Sequence, residues 1–234
     1  MSWIEELCRG GSVWLSIDGN VSSGKSTLVE LIKEKLETTK ITVVVYPEMG
    51  HEGKTLVKYL RNVATLSAMF QAHMLGMCVA REENAVLHST LVAALGLEEE
   101  SKVVVVDRTI TGNGVFAMTN HLFTPNLGPD EFDFSTTNCQ QAIRGAGRVP
   151  FAHGNLSVYL HARVGDSIRR CLKRSRDVEA SAYDRAYFQN LECMGMLAIL
   201  ANLSQKQPHP QLVLDWCDDA EDPYEQFGRI MSKY

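Results

Sequence analysis

This chain of 234 residues predicts an α/β fold, a five-stranded parallel sheet flanked by helices, on three observations. Short β-branched runs alternate with helical patterns along nearly the whole sequence. Two of those runs, TVVVY and KVVVVD, are apolar without alternation, as suits strands covered by helices on both faces. The stretch from Asp18 to Thr27, DGNVSSGKST, fits G-x-x-x-x-G-K-[ST] and lies between the apolar run VWLSI and a helical pattern.

Val13–Asp18 reads as the first strand. The loop that follows is a phosphate-binding turn. Gly19 and Gly24 let the backbone pass where a Cβ would clash, so the N–H groups of Asn20, Val21, Ser22, Ser23 and Thr27 can point at phosphate oxygens. They do so at a helix N-terminus, which carries about half a positive charge. Lys25 is placed to reach the β- and γ-phosphates, and Ser26 to ligate Mg²⁺. Leu28, Leu31, Ile32 and Leu36 then mark one face of a helix.

Ile41–Tyr46 is the second strand, and Pro47-Glu48-Met49 follows it. A carboxylate there lies across from the phosphate loop, where it can take a proton from an attacking hydroxyl. A long helix is expected over about 54–95, and Val103–Asp107 is the third strand. Asp107 at its end can hold Mg²⁺, while the adjacent Arg108 can neutralise charge on a transferred phosphoryl group. The stretch from Asn120 to Asn155 reads as the least regular part, partly helical. Leu156–His161 is the fourth strand, a helix is expected over about 183–204, and Leu212–Asp215 is the fifth strand. In open α/β sheets ligands bind beyond the carboxyl ends of the strands, so these strand-end groups converge on one crevice.

Between the fourth strand and the last helix lies SIRRCLKRSRDVE, Ser167 to Glu179. Arg170 and Arg174 are four apart and share a helix face; Arg169, Lys173 and Arg176 line a neighbouring one. The segment, about 167–180, can close as a basic lid over polyphosphate and exclude water.

No linker or internal repeat divides the chain, which reads as a single domain over 1–234. A formal net charge of −5 argues against a broad surface for nucleic-acid polymers. Six cysteines show no paired metal-site spacing and suit reduced thiols in the cytoplasm. The opening MSWIEELCRGG fits neither a secretory nor a mitochondrial leader, and with no uninterrupted apolar run of about 18 residues no membrane association is expected.

DGNVSSGKST, YPEMG, FQ-x-x-M, DRT, KRSRDVE and LVLDWCDDAEDPYEQF stand in the order seen in the deoxynucleoside kinase family. The pattern resembles the branch holding herpesvirus-type thymidine kinases and cellular deoxycytidine, deoxyguanosine and mitochondrial thymidine kinases, over about residues 12–232. The resemblance implies a P-loop kinase fold that transfers the γ-phosphate of ATP, with Mg²⁺, to the 5′-hydroxyl of a deoxynucleoside, usually as a homodimer. It implies that Glu48 is the general base, that Arg108 lies near the 5′-oxygen, and that Arg170, Arg174 and Arg176 are lid arginines. Glu179 resembles the acid that binds the sugar 3′-hydroxyl, with Tyr59 beside it. Asp219, with its neighbours Asp218 and Ala220, resembles the loop that receives the adenine of ATP.

Substrate choice is expected in AMFQAHMLGMC, Ala68 to Cys78. Gln71 resembles the base-reading glutamine, offering a donor and an acceptor to a pyrimidine edge, and Met74 resembles a methionine that packs against thymine. Phe70 and Phe116 are candidate aromatic walls. Where the deoxycytidine-preferring pattern has an arginine and an aspartate, this chain has Cys78 and Asn113, which tilts the expectation to thymidine or a broader pyrimidine range. Arg81, ten residues on, points about 80° away from the face of Gln71. Thymidylate kinases share the loop, the D-R pair and a lid, but typically carry an arginine where this chain has Pro47. A P-loop protein that binds nucleotide without transfer is the reading from another class; it lacks a reason for an acceptor site.

Overall fold

The structure is a computed structural model and describes residues 13–37, 41–48, 54–95, 102–124, 126–145, 156–174, 182–204, 210–217 and 225–226. Five parallel strands, β1 (Val13–Gly19), β2 (Thr42–Tyr46), β3 (Lys102–Asp107), β4 (Leu156–His161) and β5 (Gln211–Asp215), form one sheet in the order β2-β3-β1-β4-β5. The chain moves to one side of β1 for β2 and β3 and to the other for β4 and β5. The loops leaving the strand ends therefore diverge beside β1 and open a crevice there.

Alternation along β1 sends Val13, Leu15 and Ile17 to one face, where Leu28, Val29, Ile32 and Leu36 of helix α1 (Lys25–Leu36) pack on them. Trp14 points the other way, with Val104 and Ala85. Burial on both faces is why β3 is apolar from Val103 to Val106. TVVVY, expected to be equally buried, is only half-buried in β2, and Thr42 is exposed. It is an edge strand, so one flank has no neighbouring strand among the described residues.

The helix expected over 54–95 is two helices, α2 (Lys54–Arg61) and α3 (Val63–Ala94). Asn62 closes the first with a tight bond from its N–H to the Tyr59 carbonyl and opens the second by accepting from Leu66 N–H. Along α3, Val63–Ala85 has a mean hydropathy of 1.4, long and apolar enough to cross a bilayer, yet it carries the buried polar Gln71, Arg81 and Glu82. After α4 (Ile110–Leu122) the stretch read as least regular and partly helical holds one regular helix of 17 residues, α5 (Pro129–Gly145). Its start signals are in the sequence: proline at the first position, Asp130 and Glu131 in the first turn, and the Glu131 carboxylate accepting from Gly128 N–H. Helices α6 (Val164–Lys173) and α7 (Arg185–Leu203) complete the fold, the latter capped by Asp184, which accepts from Tyr187 N–H.

Candidate active site

The phosphate loop leaves β1 and enters α1 through Gly24, whose φ of 101° and close approach to Trp216 both require glycine. A Cβ there would lie 2.5 Å from the indole Nε1. Ser22 also has positive φ, 56°, an uncommon conformation for a residue with a side chain. Lys25 lies across this loop, buried, with Nζ donating to the Asn20 carbonyl at 3.1 Å. Burial and then Arg108 pull the ammonium below its ordinary pKa, against Glu48, Asp107 and Asp18. Asn20 is itself fixed, its amide donating to the Phe188 carbonyl at 2.9 Å and to Glu192 at 3.4 Å.

Ser26 Oγ donates to Asp107 Oδ2 at 3.2 Å, which brings together the two residues read as magnesium ligands. Magnesium is bound by one or two protein oxygens together with phosphate oxygens and water, and this hard-oxygen pair beside the phosphate loop fits it.

At the end of β3 the backbone turns through Arg108 at φ 64° while its N–H still bonds Ile17 O at 2.8 Å. The turn aims the guanidinium at Glu48, and Arg108 Nε donates to Glu48 Oε1 in a buried ion pair. The guanidinium carbon also lies 4.2 Å from the centre of the Phe116 ring. Burial opposes this charge, but Glu48, Asp18 and Asp107 outweigh it and hold Arg108 above its ordinary pKa. Asp18 accepts from Thr109 N–H at 3.0 Å and from Thr109 Oγ1 at 2.7 Å, tying the end of β1 to the start of α4.

Two clefts open at this point. One, of about 660 Å³, is lined by Glu48, Tyr59, Phe70, Gln71, Met74, Arg108, Asn113 and Phe116, and Val21, Ser22, Lys25 and Arg174 also border it. These include the residues that the sequence assigned to a nucleoside, apart from Glu179. The second, of about 900 Å³, is lined by Ser22, Gly24, Lys25, Ser26, Thr27, Glu48, Arg170 and Arg174. The clefts share Ser22, Lys25, Glu48 and Arg174. Ser23 and Asp107 line neither cleft, and Gly19 and Asn20 line a separate smaller pocket that also borders Arg108 and Phe116. Arg176, Glu179 and Asp219 fall outside the described residues.

Inside the first cleft Tyr59 and Phe70 are stacked with ring centres 4.0 Å apart. Gln71 and Asn113 are both buried, and neither Gln71 Oε1 nor Asn113 Nδ2 has a hydrogen-bond partner among the described residues. An acceptor and a donor buried without partners cost free energy, as expected of groups kept for a ligand. Cys78 does not line the cleft; it packs with Leu75 and Ile110, and burial pushes its thiol up to about 11.

Arg170, read as a lid arginine, donates to the Ser23 carbonyl at 3.2 Å and to the Trp216 carbonyl at 2.6 Å. It thus ties the phosphate loop to the segment after β5 while bordering the second cleft. Sequence reasoning missed Leu56, Tyr183 and Tyr187, which also line the first cleft. The Tyr183/Tyr187 spacing, four residues apart at a helix start, was the available signal; the rings stack at 4.8 Å.

No curated protein matches this chain significantly in sequence. Solved structures of deoxyadenosine kinase from M. mycoides share the fold. The form with the products dCMP and dCDP is 21% identical with a TM-score of 0.65, covering 94% of this chain and 97% of that one. The form with dCTP is 20% identical with a TM-score of 0.66, and the form with dATP is 20% identical with a TM-score of 0.65, both over the same shares of the two chains. A sequence model described as deoxynucleoside kinase matches residues 15–234, almost the entire length, and with it the chain belongs to the deoxynucleoside kinase family.

Proposed function

We propose that this enzyme transfers the γ-phosphoryl group of ATP to the 5′-hydroxyl of a deoxynucleoside, with thymidine, or a broader pyrimidine range, as the preferred acceptor. The observation that carries this reading is the junction of the two clefts at Lys25 and Glu48. A polyphosphate on the loop and a hydroxyl in the aromatic cleft would meet there, between a cation and a carboxylate.

In the reaction Glu48 accepts the proton of the 5′-hydroxyl as its oxygen bonds to the γ-phosphorus, and the bond from that phosphorus to the bridging oxygen breaks, leaving ADP. Lys25 and Arg108 balance the charge that spreads over the phosphoryl oxygens. Arg108 also holds Glu48 in place until substrate arrives. Ser26 and Asp107 would hold magnesium, which would supply charge neutralisation to the polyphosphate.

The thymine preference rests on the first cleft. Gln71 presents one acceptor and one donor to the N3–H and 4-keto group of the ring, Met74 packs against it, and Asn113 lines the cleft where the deoxycytidine pattern has an aspartate. The arginine of that pattern is replaced by Cys78, which packs outside the cleft and supplies no charge to it. Pro47, where an arginine would grip a monophosphate, favours the uncharged nucleoside over thymidylate. The family resemblance further suggests a homodimer, and the sequence a cytoplasmic enzyme.

Transfer of label from [γ-³²P]ATP to thymidine, deoxycytidine, deoxyadenosine, deoxyguanosine and thymidylate tests the proposal. Thymidine is expected to have the highest kcat/KM. A preference for a purine deoxynucleoside, as the deoxyadenosine kinase likeness would allow, sinks the base assignment and leaves the kinase reading standing. Transfer to thymidylate alone makes the enzyme a monophosphate kinase, and transfer to nothing makes it a nucleotide-binding protein.

A further inference from the structure

Arg81 belongs to neither cleft, yet its guanidinium reaches the ends of both strands that carry the reacting pair. From α3, buried to 6% exposure, Nη1 donates to the Pro47 carbonyl at 3.1 Å and to the Asp107 carbonyl at 2.9 Å. Nη2 donates to the Arg108 carbonyl at 2.5 Å. The acceptor of the first bond immediately precedes Glu48. Those of the other two belong to the peptides that enter and leave Arg108, the residue in left-handed backbone conformation.

We propose that Arg81 is a positioning residue for phosphoryl transfer: it clamps the ends of β2 and β3 so that Glu48 and the strained Arg108 face one another across the junction of the clefts. The inference rests on the roles given above to Glu48 and Arg108. Three features of the bonding support it. Glu48 and Arg108 lie on adjacent strands but beyond the last register pair, Tyr46 with Val106, so the sheet ladder does not fix their separation. Arg108 at φ 64° has a conformation that side-chain-bearing residues adopt only at a cost, and such strain persists only where surrounding contacts over-determine it. A guanidinium is the one side chain with a rigid fork of five N–H donors, able to hold several carbonyls at once; a lysine ammonium is a single point. The neighbouring carboxyl of Glu82 has its Oε1 3.9 Å from Nη2, beyond hydrogen-bond distance, so the fork's donors stay on the carbonyls.

Positioning has a different signature from fold maintenance. Misplacement of reacting groups by about 1 Å costs on the order of 10²-fold in rate. The test is a cycle of wild type, Arg81→Met, Glu48→Gln and the double variant, each measured for kcat with ATP and the best nucleoside, for the Kd of each ligand, and for thermal midpoint. Arg81→Met is expected to lower kcat by roughly 10–10²-fold while both Kd values stay within about threefold, and the double variant is expected to be no slower than Glu48→Gln alone. Arg81→Lys, which keeps the buried charge but loses the fork, should recover stability more than kcat. If Arg81→Met does not fold, Arg81→Lys takes its place in the cycle. Normal kcat in a less stable variant, or losses that multiply in the double variant, would overturn the positioning role. A Glu48→Gln enzyme with unchanged kcat would instead overturn the general-base reading, so the two failures are separable.

Discussion

Gln71 shows how a single residue can serve function at the expense of stability. Its Oε1 is buried in the cleft without a hydrogen-bond partner among the described residues, a state that costs about 1–3 kcal/mol. Gln71→Leu removes that cost, so the variant's thermal midpoint is expected to equal or exceed that of wild type. The same change leaves a thymine edge unpaired and should cut kcat/KM for thymidine by about one to two orders of magnitude. Calorimetry and steady-state kinetics on one preparation check both; a fall in midpoint alongside kcat/KM would make Gln71 a core residue. Lys25, Glu48, Arg108 and Gln71 were legible because each stands at a fixed offset from a strand end or within a short motif. Asp18 and Arg81 were not. Asp18 acts on Thr109, 91 positions away, and Arg81 on carbonyls 26 to 34 positions away, and nothing in a local pattern encodes such pairs. The angular reading of Arg81 did separate it from the Gln71 face; what it lacked was the neighbour on the other side.

The elements follow the same division. Strands were readable to within a residue because continuous β-branched runs are strong signals, whereas the break at Asn62 was hidden inside an unbroken helical composition. Helix α5 was under-read, although its proline and first-turn acids announced it. The long helix α3 carries a further consequence in Glu82, one residue beyond Arg81. Burial first, with the charge of Asp18 adding and Arg81 opposing, pushes this carboxyl up to about 7. Its ordinary value is near 4.3, so between about pH 4 and 7 the folded protein holds a proton that the unfolded chain has released. Folding stability from this group is therefore fully present at low pH and is lost as pH rises through 7, by on the order of 3 kcal/mol. Denaturant titrations of wild type and Glu82→Gln at pH 5.5 and 8 test it. The variant should be the more stable of the two at pH 8, with the gap narrowing at pH 5.5; equal gaps at both would show that Glu82 does not titrate there.

At the scale of the molecule, the sheet order places the phosphate loop on the central strand and the aromatic cleft beside it, so each cleft is lined by residues that follow strands in both halves of the sheet. Trp216 after β5 supports Gly24, Arg170 on α6 holds the Ser23 and Trp216 carbonyls, and Asp18 joins β1 to α4. Ligand binding to such a site should stabilise the whole fold. A ligand at a hundred times its Kd contributes about 2.7 kcal/mol, and for a chain of this size each kcal/mol raises the thermal midpoint by about 2–4 °C. A non-hydrolysable ATP analogue with magnesium, and thymidine separately, should therefore each raise the midpoint by about 5–11 °C at that saturation. Lys25→Ala distinguishes the two clefts although Lys25 borders both. Its ammonium is a partner for phosphate charge and has no counterpart in an uncharged nucleoside. The variant is expected to lose most of the shift produced by the ATP analogue and keep that produced by thymidine. A Lys25→Ala protein that keeps the full ATP shift would place the polyphosphate elsewhere and dissolve the argument that donor and acceptor meet at this residue.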